Sequence, residues 1–131
     1  MRIALTIFFW LLAVSAEAQS LAPMRKDIVS FADRFAIRLT ANNPYRDPIS
    51  SEFKVYEEDW TPAKGVRVTP DRAYLSAKGH TPIFIVGDFE GDLARTILIC
   101  HETIIPNFVA HQKLRGQVCG RYRAQQLQLS Q

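Results

Sequence analysis

The sequence predicts an all-β fold, an Ig-like antiparallel β-sandwich of about seven strands. Apolar and polar residues alternate in several runs, most cleanly where Phe35, Ile37, Leu39 and Ala41 interleave with Ala36, Arg38, Thr40 and Asn42. Breakers punctuate these runs at short intervals, from Asn43-Pro44 to Pro106. Helical periodicity is confined to short pieces, so period-2 patterning decides the class.

The chain opens with MRIALTIFFWLLAVSAEAQS, in which one Arg precedes an apolar run from Ile3 to Val14 and a small-x-small step at Ala16-Glu17-Ala18. This is the layout of a secretory signal peptide, expected over residues 1–18. The run is short of the ~20 apolar residues that a spanning helix needs, so no stable membrane insertion is expected after cleavage. Residues 19–131 are then expected to form one domain, periplasmic or secreted.

Within that domain, Met24 to Phe31 reads as an opening strand, and Phe35 to Asn42 as a second strand with one apolar face. Asn43-Pro44-Tyr45-Arg46-Asp47-Pro48 reads as a turn. A third strand alternates Ile49, Ser51, Phe53 and Val55 with polar neighbours and runs into Glu57 to Pro62, a polar connection with Trp60 to bury. Val66 and Val68 mark a short strand stopped by Pro70, and Tyr74-Leu75 precede the turn Ala77 to His80. Ile83-Phe84-Ile85-Val86 is apolar on both faces, which suits a central strand. Gly87 to Asp92 forms an acidic loop, Thr96 to Ile105 a strand ending at Pro106, and Leu114 to Ala124 the last strand, with a loop from Pro106 to Gln112 between them.

Sixteen Lys and Arg against thirteen Asp and Glu give a net charge of +3, too small and too scattered to argue for nucleic acid. Two cysteines in an exported chain read first as one disulfide. Strand parity supports this for Cys100 and Cys119. If Ile97 and Ile99 face the core, Cys100 points outward, and Cys119 shares the charged side of its strand with Arg115, Arg121 and Arg123. The same parity turns His101 away from Cys100, so the pair does not converge on a metal. His101-Glu-Thr-Ile-Ile105 lacks the second histidine of H-E-x-x-H, no C-x₂-C pair exists, and no G-x-S-x-G elbow is present. Asp88, Glu90 and Asp92 lack the closing Glu of a calcium loop and read as a solvated turn. His80 reads as a surface-turn histidine. Neither a catalytic residue nor a metal or cofactor is expected.

Taken in order, Leu21-Ala22-Pro23-Met24-Arg25, Phe35 to Pro44, Val68-Thr69-Pro70 followed by Tyr74 to Gly79, and Ala94 to Pro106 resemble the N-terminal Ig-like domain of periplasmic pilus-assembly chaperones. The resemblance spans about Leu21 to Gln125 and rests on order and spacing. It implies an exported, non-enzymatic binding module that completes a partner, such as a pilus or surface subunit, by lending a strand. It also implies that Arg25, in the first strand, and Lys113, opening the last, hold the partner's C-terminal carboxylate. The family has two domains, whereas only Arg123 to Gln131 follow Tyr122 here, so a single domain is expected. The alternate residues of the last strand are Leu114, Gly116, Val118, Gly120 and Tyr122, and two glycines leave little apolar bulk to lend. A second reading is a structural or accessory component of a surface or secretion assembly.

Overall fold

The computed structural model describes residues 20–109 and 112–128, with backbone alone for 105–109 and 112–115. The expected signal peptide lies outside the described residues. The strands are β1 (Leu21–Ala22), β2 (Arg25–Ser30), β3 (Arg34–Asn42), β4 (Ile49–Glu57), β5 (Val66–Thr69), β6 (Arg72–Leu75), β7 (His80–Asp88), β8 (Ala94–Val109) and β9 (Gln112–Gln126). They form a four-stranded sheet, β1-β3-β7-β5, and a five-stranded sheet, β2-β9-β8-β4-β6. The two-layer antiparallel sandwich of the sequence reading is therefore present, with nine strands among the described residues.

Two of the extra strands come from prolines, which cannot donate to a ladder. Pro23 separates β1 from β2, which is the expected opening strand. β1 pairs antiparallel with β3 in one sheet, and β2 pairs parallel with β9 in the other. Pro70 does the same further on: β5 pairs with β7 and β6 with β4, so the chain changes layer between them. Pro106, by contrast, does not end its strand. β8 runs on to Val109, with a register shift between Ile105 and Val109, and β9 starts at Gln112, so the strands extend into the expected loop, where Val109 pairs with Gln112.

The alternating residues fill the space between the layers. Phe35, Ile37, Leu39, Ala41, Ile83 and Ile85 from one sheet meet Ile49, Phe53, Ile97, Ile99, Tyr122 and Ala124 from the other, all buried. Each large side chain contributes about 1.5–3 kcal/mol by leaving water. Asn43 is buried at the end of β3, and its side chain ties the turn. Nδ2 donates to the carbonyls of Asp47 and Ser76, both at 2.9 Å, and Oδ1 accepts from Tyr45 N–H. At the layer change, the Tyr122 hydroxyl donates to the Pro23 carbonyl at 2.5 Å. Burial raises its pKa to about 12, so it stays a donor. The hydroxyl lies directly over Gly120, where a Cβ would also come within 2.7 Å of the Met24 carbonyl.

Two expectations fail for identifiable reasons. Trp60 is 56% exposed, not buried, because the tight turn Glu57–Thr61, closed by Glu57 N–H to the Thr61 carbonyl, lifts it off the sandwich beside Tyr56. β7 is interior to its sheet, but only its inner face is covered: Phe84 and Val86 are 48% and 44% exposed. Hydrogen-bonding neighbours on both sides do not imply a second layer above.

Candidate functional site

Of the residues that the sequence singled out, the outer face of the five-stranded sheet carries Arg25, Cys100 and Cys119. Backbone register builds it in rows across the strands. Lys54, Cys100 and Cys119 form one row, and Tyr56, Leu98, Arg121 and Arg25 form the next. A third row aligns Thr96, Arg123 and Asp27.

Cys100 and Cys119 are bonded, with Cα atoms 4.0 Å apart across directly paired positions. The expected disulfide is thus present on the outer face. Cys100 is nevertheless fully buried. It lies in a central strand, with the disulfide on one side and Lys54, drawn 3.0 Å from Glu102, on the other. Glu102 raises the Lys54 pKa by hydrogen bond and charge.

Arg25 is exposed at the start of β2, and its register partner is Arg121. Arg25, Lys26, Asp27, Thr96, Arg121 and Arg123 line an open recess of 330 Å³. Glu58 holds Arg121 at 3.0 Å in a mutually exposed ion pair, a contact of little net strength that a ligand anion can displace. Lys113 is not brought to this recess. It lies on β9 eight residues before Arg121, roughly 26 Å along an extended strand. Across the β2–β9 register, the cation directly opposite Arg25 is Arg121. The sequence marked Arg121 as outward-facing, but the parallel pairing of β2 with β9 carries no local signal.

The edge of β9 is divided. β2 covers it from Arg121 to Gln126. Among the described residues, no strand pairs with that side of β9 ahead of Arg121. The uncovered segment continues in line with β2 and ends at Arg25 and Arg121.

These features invite comparison with known proteins. No protein-family model matches the chain, and no curated protein matches it. Solved structures do. The Salmonella enterica SafA pilin in complex with the SafB chaperone matches at TM-score 0.68, with 19% identity, over 81% of this chain and 53% of that one. In fold, the chain is similar to pilus chaperones. The E. coli chaperone DraB matches at TM-score 0.65, with 22% identity, over 81% of this chain and 53% of DraB. The chain thus spans about half the length of these chaperones. The same fold occurs in SSP-19, an MSP-domain protein like family member in Caenorhabditis elegans, at TM-score 0.60, with 12% identity, over 82% of this chain and 99% of SSP-19.

The other sequence candidates are placed as follows. His101 turns inward, as parity requires, and is fully buried. Its Nδ1 is 3.1 Å from the Ser20 carbonyl, which only accepts, so Nδ1 carries the hydrogen. Nε2, 2.7 Å from Ser51 Oγ, accepts from that hydroxyl. The contact joins β8, β4 and the start of the described chain within the core. Sequence reasoning missed Ser51 as its partner because the β4–β8 register is non-local. His80 is exposed at the start of β7. Among the described residues no three metal-ligating side chains cluster, and the Asp88–Glu90 turn engages its own backbone, with Glu90 N–H donating to Asp88 Oδ1 at 3.1 Å.

Burial lowers the His101 pKa below its ordinary 6.5, outweighing the Ser20 carbonyl. The unfolded chain binds this proton near pH 6.5, whereas the folded chain binds it only at lower pH. His101 therefore supports full stability above about pH 6.5, and that stability is lost as pH falls toward the depressed folded value. Urea midpoints should fall between pH 7.5 and pH 5.5, and the slope should flatten in His101→Gln. An unchanged slope in the variant assigns the pH dependence to other groups.

Proposed function

We propose that this chain is an exported, non-enzymatic binding module that holds a partner protein by pairing with an extended segment of it along the uncovered edge of β9. The observation that carries this reading is the parallel pairing of β2 with β9, which starts at Arg25 and Arg121. A partner strand running parallel to β9 over the preceding residues would lie in line with β2. Its C-terminus would then arrive at the two guanidinium groups. Main-chain hydrogen bonds supply affinity along the edge, and charge-assisted bonds from Arg25 and Arg121 fix the terminal carboxylate. Lys113 lies at the far end of the same edge, as a partner contact there rather than as the second arm of the clamp. The fold-level likeness to pilus chaperones supports a pilus or surface subunit as the partner, and it supports the periplasm as the compartment.

Two glycines and Val118 on the inner side of the uncovered segment favour backbone recognition over side-chain filling. A synthetic ten-residue peptide with alternating apolar residues and a free C-terminus serves as the probe. Arg25→Ala combined with Arg121→Ala should weaken its binding by about tenfold or more, since hydrogen bonds to charged groups contribute about 1.5–3 kcal/mol each. Unchanged affinity in the folded double variant removes the clamp.

A further inference from the structure

The opposite face of the molecule carries a second patch that the β9 edge does not use. In an antiparallel sandwich the outer face of a sheet is normally polar. Here the outer row of β3 reads Arg34, Ala36, Arg38, and register sets these opposite Asp88, Val86 and Phe84 of β7. On β5, Arg67 pairs with Val86 and Thr69 with Phe84. Ala36, Val86 and Phe84 thus form an exposed apolar floor, and three arginines stand around it. Arg34 and Arg38 are four residues apart on one face of a strand, roughly 13 Å, and Arg67 is two strands away, roughly 10 Å.

None of the three arginines has an ion pair among the described residues. Arg38 lies over the Phe84 ring, 5.9 Å from its centroid. Asp88, the acid in register on this face, lies 3.7 Å from Arg95 and accepts from the Glu90 N–H, and its carboxylate and that of Glu90 border Gly65 at one end. The surface dips beside the floor into a recess of 510 Å³ lined by Arg34, Gly65, Val66, Arg67, Val86 and Gly87 together with Asp88. A floor of exposed apolar residues ringed by unpaired cations marks an interaction surface rather than a solvated face.

We propose that the outer face of the β1-β3-β7-β5 sheet is a second docking surface, and that its occupant is an extended acidic protein segment of the pattern Glu-x-Leu-x-Glu. In an extended chain, residues i, i+2 and i+4 share one face, and i and i+4 are roughly 13 Å apart. Two carboxylates so placed meet Arg34 and Arg38, and the leucine between them rests on Ala36 and Val86. Arg67 guards the side of the recess. A side-chain-bearing partner fits the recess, whereas a lipid surface would have only one half-exposed ring to receive.

The test uses a labelled, N-acetylated and C-amidated peptide containing Glu-Thr-Leu-Thr-Glu. Amidation removes the terminal carboxylate, and the Arg25→Ala, Arg121→Ala variant should bind this peptide as the wild type does, so this surface and the β9 edge fail or succeed separately. The intact protein should bind it saturably, and more weakly as salt rises from about 0.05 to 0.3 M. Arg38→Ser with Arg67→Ser should weaken binding by about tenfold or more, and Phe84→Ser by a few-fold, each with an unchanged circular dichroism spectrum. Arg46→Ser with Arg72→Ser removes the same charge elsewhere and should leave binding intact. Absence of saturable binding, or equal losses in the two charge-matched double variants, overturns the proposal. Binding to phosphatidylglycerol vesicles that depends on Arg38 and Arg67, with no peptide binding, overturns it in favour of a membrane surface.

Discussion

Arg95→Ala should destabilise the domain by about 3–5 kcal/mol, measured as a fall in the urea unfolding midpoint. Arg95, the second residue of β8, has a side chain only 6% exposed. Its Nη2 donates to Glu57 Oε1 at 2.5 Å and to the Lys64 carbonyl at 2.7 Å, and its Nη1 donates to the Asp88 carbonyl at 2.7 Å. One guanidinium therefore fastens β4, the segment before β5 and the end of β7 at one end of the sandwich. Removing the buried guanidinium leaves two carbonyls without donors, at about 1–3 kcal/mol each, and the partly exposed Glu57 carboxylate without its partner. Arg95→Lys keeps the charge but loses the planar fork, so it should recover only part of the loss. A loss below about 1 kcal/mol in Arg95→Ala would mean that water replaces the guanidinium without penalty.

The second large effect is expected from the disulfide. Cys100→Ser with Cys119→Ser removes a link between residues 19 apart in sequence, and in the chain-entropy picture a loop of that size is worth about 3 kcal/mol. Cys100 is also fully buried, so its serine hydroxyl would need a new partner, which adds to the cost. The double variant should unfold at lower urea than the oxidised wild type, and a reductant should shift the wild type toward it. Equal midpoints would show that the β8–β9 ladder alone sets the stability of this hairpin.

What the sequence revealed, and what it hid, follows from the range of the interactions. Alternation is local, so the inner faces of β3, β4 and β7 could be read directly: Phe35, Ile37 and Leu39, Ile49 and Phe53, and Ile83 and Ile85 are all buried. Parity within β8 and β9 was equally local, and it correctly turned the cysteines outward and His101 inward. Pairing between distant strands was not legible. The parallel contact of β2 with β9 joins Arg25 to Arg121 across most of the chain, and nothing near either residue encodes it. The family resemblance implied Lys113 beside Arg25, whereas register sets Arg121 opposite Arg25. Ser51 met His101 for the same non-local reason. Trp60 misled because an apolar side chain was expected to seek the core, while the turn chemistry of Asp59 and Thr61, joined at 2.6 Å, fixes it outside. The exposed Phe84 and Val86 misled in the opposite sense, because an all-apolar run signals burial on both faces only when a second layer is available.

The most direct test of partner binding is a titration of the intact, oxidised protein with two versions of the alternating apolar peptide, one ending in a free carboxylate and one in an amide. If a partner strand ends at Arg25 and Arg121, the carboxylate form should bind about tenfold or more tightly. That preference should vanish in the Arg25→Ala, Arg121→Ala variant. Equal affinity of the two peptides for the wild-type protein would contradict a terminal carboxylate held at the start of β2.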